Sequence, residues 1–239
     1  MSFDLKRYQT QVNLPEIGVG GQNAISTSKV LVIGAGGLGC PVLVYLSALG
    51  VGKIGIVDFD VVALKNLNRQ IIYKEADQGQ LKVELAKAKM LEMNSQTEIF
   101  EYNVRFSEGN ASAIIAEYDL VVDCCDNYDT RYVLDSACFA LGKPWIYAAV
   151  GGFEGQVSVF NYKKKMRYAD LYADKELFKT ISGCDVQGVT GSTCGFAASL
   201  QVNEAMKIIL KREDVCEGEL ISFDLLDLKL RKFKLHQGE

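Results

Sequence analysis

The chain has 239 residues, enough for one sizeable α/β domain, or a domain with a capping part, but cramped for two independent ones. Its 26 Lys and Arg against 30 Asp and Glu leave a formal net charge of −4, which offers no basic footprint for nucleic acid or an anionic membrane surface. Seven cysteines, odd in number and scattered through apolar runs, fit a reducing, cytoplasmic setting better than a disulfide framework.

In chain order, Met1–Arg7 contains no apolar run of the kind that begins a secretory leader. Strand-like and helix-like segments then alternate. The pattern predicts strands at Lys29–Ile33, Lys53–Asp58, Glu98–Asn103, Leu120–Asp123 and Trp145–Ala149, with helices at Cys40–Leu49, Lys82–Asn94, Ala111–Glu117 and Thr130–Leu141 between them. That alternation is the signature of a parallel sheet with crossover helices. Beyond Gly151-Gly152 the period changes. Gln156–Phe160, Glu219–Phe223 and Leu228–Leu235 alternate in the manner of antiparallel strands. The helix candidate Gly191–Leu210 is interrupted by Gln201, Asn203, Glu204 and Lys207 and does not read as a membrane span. The stretch from Asn161 to Thr190, rich in Lys and Tyr, reads as one long polar loop, functional or mobile. The expected organisation is a single α/β domain over residues 1–239, with a nucleotide-binding part at about 28–150 and a second, antiparallel part at about 151–239.

Chemistry gathers at the ends of the expected strands. Gly34-Ala35-Gly36-Gly37-Leu38-Gly39 follows the first strand and opens a helix, and Asp58 closes the second strand about twenty residues later. Such a loop lets a phosphate approach the backbone, the helix aims its N–H groups at the anion, and the aspartate can accept from a ribose hydroxyl. Alone, this Rossmann-like fingerprint is shared by many dehydrogenases. The residues downstream carry more: Arg69 and Lys82 are two cations near the carboxyl edge, suited to a triphosphate, and Asp126 follows the fourth strand, where a carboxylate can hold Mg²⁺. An alternative role for Asp126, Asn127 or Asp129 is to cap the helix that follows. Cys124 and Cys125 read as core residues at a strand end.

The linked motifs Gly34–Gly39, Asp58-x-Asp60-x-Val62, Asn66-Leu67-x-Arg69-Gln70, Gly79-Gln80-x-Lys82 and Asp123-Cys124-x-Asp126-Asn127, with Arg7-Tyr8 and Gln11 upstream, resemble the ThiF/MoeB/HesA family of ubiquitin-activating-like adenylyltransferases. The resemblance covers nearly the whole chain. It implies an enzyme that binds MgATP, receives the C-terminal Gly-Gly tail of a small ubiquitin-like sulfur carrier, forms its acyl-adenylate and works as a homodimer. By motif position Asp58 would hold the ribose, and Asn66, Arg69 and Lys82 the phosphates. Asp126 would place the metal, while Gly34, Gly36, Gly37, Gly39, Asp60 and Gln70 would complete the nucleotide site. Cys184 stands where some members use a thiol on the activated carrier.

The chain departs from the family in two places. The two C-x-x-C pairs that hold a structural zinc in most bacterial members are missing: Lys163-Lys164-Lys165 and Tyr168 occupy the first region, and the chain ends His236-Gln237-Gly238-Glu239, so no zinc is expected. Thr10 stands where the motif Arg-Tyr-x-Arg-Gln carries its second arginine, which in the family reaches the ATP phosphates of the partner subunit; Arg7, or Lys6, or another protein would then supply that charge, Arg7 being the residue best placed to do so, unless the activity is slow or lost. This second departure sets up a competing reading, a non-catalytic subunit that keeps the fold and supports an active partner.

Overall fold

The computed structural model describes residues 4–172 and 188–235. One eight-stranded sheet organises them. Its strands are β1 (Lys29–Ile33), β2 (Lys53–Val57), β3 (Glu98–Tyr102), β4 (Leu120–Asp123), β5 (Trp145–Gly151), β6 (Glu154–Phe160), β7 (Glu219–Asp224) and β8 (Lys229–Lys234). They lie in the order β3-β2-β1-β4-β5-β6-β7-β8. The first five are parallel and the last three antiparallel, as the change of period predicts.

The helices are α1 (Leu5–Val12), α2 (Gly18–Thr27), α3 (Gly39–Leu49), α4 (Lys82–Met93), α5 (Glu108–Ala116), α6 (Tyr128–Leu141), the short α7 (Tyr168–Leu171) and α8 (Gly191–Ile209). Strand β1 shows why both sheet faces must be covered: Val30 and Val32 point into one apolar layer, Leu31 and Ile33 into the other. The first layer packs against residues of α2, α3, α4 and α8, and the second against α5 and α6. No helix among the described residues is long and apolar enough to cross a membrane.

The parallel order reverses between β1 and β4, each of which runs to a loop at the same sheet edge. Open α/β sheets bind ligands at such a switch point, beyond the carboxyl ends of the strands.

Several boundaries differ from expectation. Asp58 lies one residue past β2, and α5 and α6 begin at Glu108 and Tyr128, each a turn or less earlier than the apolar period suggests. Helices α1 and α2 carry no clear sequence signal, since α2 reads Gly-Val-Gly-Gly-Gln-Asn-Ala-Ile-Ser-Thr and glycine is a poor helix former. The largest correction falls in the expected polar loop. In its first twelve residues Asn161, Met166 and Tyr168 are buried while Lys163, Lys164 and Lys165 stay exposed: Tyr168 packs against Trp145, Tyr147 and Phe160, and the Glu217 carboxylate accepts from the amides of Tyr162, Lys163 and Lys164 at 2.8, 2.7 and 2.6 Å. An aromatic residue in a lysine-rich stretch was drawn into the core by its own apolar area.

Candidate active site

A cleft of about 1270 Å³ opens at the switch point, larger than the roughly 300–1,000 Å³ of ordinary small-molecule sites. Its floor is the glycine loop. Gly34 has φ +100°, and a Cβ there would lie 2.7 Å from the Cys124 carbonyl oxygen; a Cβ on Gly39 would fall 1.9 Å from the oxygen of Gly34. Only glycine permits this closure, which brings the β1 loop against the β4 loop.

Asp58 braces that floor. Its Oδ2 accepts from the Ala35 amide at 2.7 Å and its Oδ1 from the Asp60 amide at 2.8 Å, and each oxygen retains a further lone pair. Lys82, the first residue of α4, is 3% exposed, and its Nζ reaches Asp60 Oδ2 at 2.9 Å. It is therefore no solvated helix charge. Arg69 packs beside Gly37, its Nη2 lying 3.5 Å from Asn66 Oδ1, so the turn that carries Asn66 faces the loop. Gln70 is buried next to Gly36, and its Oε1 has no hydrogen-bond partner. A buried acceptor left this way costs about 1–3 kcal/mol, which a donor on a bound ligand would recover.

Across the cleft, Asn127 caps α6, its Oδ1 accepting from the Thr130 amide at 2.9 Å. That leaves Asp126 outside the helix, exposed on the cleft wall that Asp129 also lines. A carboxylate so placed could hold Mg²⁺ together with phosphate oxygens and water. Among the described residues no group of three or more His, Cys, Asp or Glu gathers to hold a metal ion.

Sequence reasoning missed Arg131. Its Nε donates to Asp123 Oδ2 at 3.1 Å, and its Nη2 to the carbonyls of Cys125 and Ala148, each at 3.0 Å. Asp123 Oδ1 accepts from the Cys125 amide at 2.9 Å, so one buried pair shapes the segment that presents Asp126. Burial pushes the Asp123 carboxyl up, and the guanidinium pulls it back. The available signal was a charge on the core face of α6, in step with Leu134, Asp135 and Cys138.

One expected site residue stands apart. Arg7 is not part of the cleft of its own chain: its Nη2 donates to the Met93 carbonyl at 2.6 Å, at the end of α4. Cys184 lies outside the described residues. Cys124 and Cys125 are buried, as expected of core thiols.

A cleft at the switch point of a mostly parallel sheet, floored by a glycine loop with a carboxylate and cations on its wall, defines a Rossmann-type α/β protein. The chain belongs to the ThiF family, whose model matches residues 8–239. It is 40% identical over 230 residues to a "Probable molybdopterin-synthase adenylyltransferase" of Porphyra purpurea, covering 96% of this chain and 60% of that protein. It is also 40% identical to the "Adenylyltransferase and sulfurtransferase MOCS3" of Danio rerio, covering 99% of this chain and 51% of the relative. The chain thus spans between half and two thirds of the length of these relatives. Among solved structures, E. coli MccB with ATP superposes with a TM-score of 0.85 at 20% identity, over 99% of this chain and 73% of that one, a likeness of fold.

Proposed function

We propose that this protein adenylylates the C-terminal Gly-Gly carboxylate of a small ubiquitin-like sulfur-carrier protein, using MgATP, in the cytoplasm and as a homodimer. The observation that carries the reading is the convergence of the glycine loop, Asp58, Asn66, Arg69, Lys82 and Asp126 on one cleft at the switch point. The relatives' names favour a MoaD-like carrier, serving molybdenum cofactor, over a ThiS-like carrier serving thiamine.

In this reaction a carboxylate oxygen of the carrier attacks the α-phosphorus, the bond from that phosphorus to the bridging oxygen of the β-phosphate breaks, and pyrophosphate leaves. A C-terminal carboxyl has a pKa of about 3.3–3.7, so the nucleophile is already ionised and needs no base. The one histidine of the sequence is His236, beyond the last strand. What remains is positioning and charge. Gly36 and Gly37 leave room for the phosphates, Asp58 orients the ribose, and Arg69 and Lys82 offset charge on the departing pyrophosphate. A magnesium ion held by Asp126 would supply further neutralisation of the triphosphate.

The test is ATP–pyrophosphate exchange with and without a carrier ending in free Gly-Gly. Exchange that depends on that carrier is expected, from protein whose elemental analysis shows no stoichiometric zinc. Nucleotide binding without exchange under any carrier would instead support the non-catalytic subunit.

A further inference from the structure

Tyr73 belongs to none of the motifs above, yet three parts of the phosphate site meet on it. Between the loop after β2 and the start of α4 the chain makes an excursion, residues 63–81. It is closed at its base where the Val62 amide donates to the Gln80 carbonyl and the Gly79 amide to the Val62 carbonyl, each at 2.9 Å. Asn66, Arg69 and Gln70 ride on this excursion. Tyr73 turns inward from it, 7% exposed, and packs with Cys40 and Val62, while its amide donates to the Gln70 carbonyl at 3.2 Å. It does not line the cleft.

The phenol ends on two backbone carbonyls. Its hydroxyl lies 3.0 Å from the Ala35 oxygen and 3.3 Å from the Lys82 oxygen, a fork in which one proton serves two acceptors. Burial holds this phenol far above the usual tyrosine range, so the proton stays in place. Ala35 is the second residue of the glycine loop, and its amide already donates to Asp58 at 2.7 Å. Lys82 is held at three points: Nζ and amide on Asp60, at 2.9 and 3.0 Å, and carbonyl on Tyr73.

We infer that Tyr73 is a positioning residue for a triphosphate; the inference rests on the nucleotide reading above. One hydroxyl sets the spacing between the glycine loop and Lys82, and the backbone behind it brings the turn with Asn66 and Arg69 to the same place. Phosphate-holding groups on three separate stretches of chain act together only if that spacing is kept, since a misplacement of about 1 Å can cost on the order of 10²-fold in rate.

Tyr73→Phe keeps the ring and its packing and removes only the hydroxyl. In calorimetric titration of the full chain it should weaken ATP and inorganic tripolyphosphate about fivefold each, the scale of one lost hydrogen bond, and leave adenosine unchanged. In exchange assays KM for ATP should rise while KM for the carrier holds. In a Lys82→Ala background the same substitution should cost tripolyphosphate less, because one of the two groups it aligns is gone. A tyrosine that only fills the core would instead weaken all three ligands alike, in step with a lowered melting temperature. That pattern, unchanged tripolyphosphate affinity in Tyr73→Phe, or equal losses with and without Lys82 would each overturn the role of Tyr73 while leaving the adenylylation reading intact. Wild-type protein that binds neither ATP nor tripolyphosphate would overturn that reading first.

Discussion

Lys82 Nζ lies 2.9 Å from Asp60 Oδ2, with the lysine side chain almost wholly buried and the carboxylate half exposed. The pair joins the start of α4 to the loop after β2 and holds an ammonium at the cleft wall. Removing Lys82 therefore does two things: a cation is lost, and Asp60 is left as an uncompensated negative charge where phosphates would bind. Lys82→Ala should lower pyrophosphate exchange by on the order of 10²-fold or more, and so should Arg69→Ala. Near-wild-type exchange in either variant would remove that residue from the phosphate site.

Arg131 and Asp123 form the most deeply buried ion pair described, with side chains 6 and 0% exposed. Truncating one partner strands the other in the core, a loss of about 3–5 kcal/mol. Arg131→Met and Asp123→Asn should each lower the urea midpoint accordingly. Their combination should cost less than the sum of the two. Additive losses would show that the two groups do not depend on one another.

The glycine loop makes a sharper test, because its requirement is steric. Gly39→Ala must relieve a 1.9 Å approach to the Gly34 oxygen, backbone against backbone, whereas Gly36→Ala meets only the Gln70 side-chain nitrogen at 3.5 Å. Gly39→Ala should thus be strongly destabilised in thermal unfolding. Gly36→Ala should fold normally and lose ATP affinity, since its Cβ would stand where a phosphate is expected. Equal stability of the two variants would contradict the loop geometry.

How much of this was legible beforehand depends on whether a feature is local. The β1–glycine loop–α3 unit and Asp58 could be read because glycine spacing after an apolar run directly states a backbone need. Three polar residues before an apolar period announced a capped helix start but left Asp126, Asn127 and Asp129 all open, and only the structure selects Asn127. The Asp60–Lys82 pair joins a loop and a helix start 22 positions apart, and Arg131 reaches β5 at Ala148; neither neighbour is local in sequence. Tyr168 entered the core for a similar reason: its partners Trp145 and Phe160 belong to two neighbouring strands, and nothing in Lys163-Lys164-Lys165 announces them.

Arg7 donates to the Met93 carbonyl, so it could serve phosphates only in the cleft of a partner subunit. That arrangement has a distinctive kinetic signature. If Arg7 acts across a homodimer, Arg7→Ala and Asp126→Ala should each be nearly inactive alone, and mixing them after subunit exchange should recover up to about a quarter of wild-type exchange, from the one intact site of the mixed dimer. Normal exchange by Arg7→Ala would confine it to closing the end of α4, where a cation beside the last carbonyls contributes modestly.

Burial pushes Cys40 and Cys216 up to about 12 and holds Cys124, Cys125 and Cys138 well above the usual thiol range. A thiol of pKa 12 is ionised to only about one part in 10⁴ at pH 8, and the thiolate is the reactive form. Cys194 is also buried, 2% exposed. Native protein treated with iodoacetamide at pH 8 should therefore label at one position at most, Cys184, and Cys184→Ser should abolish the label. We propose the same thiolate as acceptor of the activated carrier: its sulfur attacks the acyl carbon of the adenylate, the bond to the AMP oxygen breaks, and a thioester forms as AMP leaves. Cys184→Ser should keep pyrophosphate exchange yet lose any carrier conjugate on gels run without reductant. A conjugate that survives the substitution would remove Cys184 from the chemistry, and rapid labelling of a second cysteine would show that a buried thiol opens to solvent.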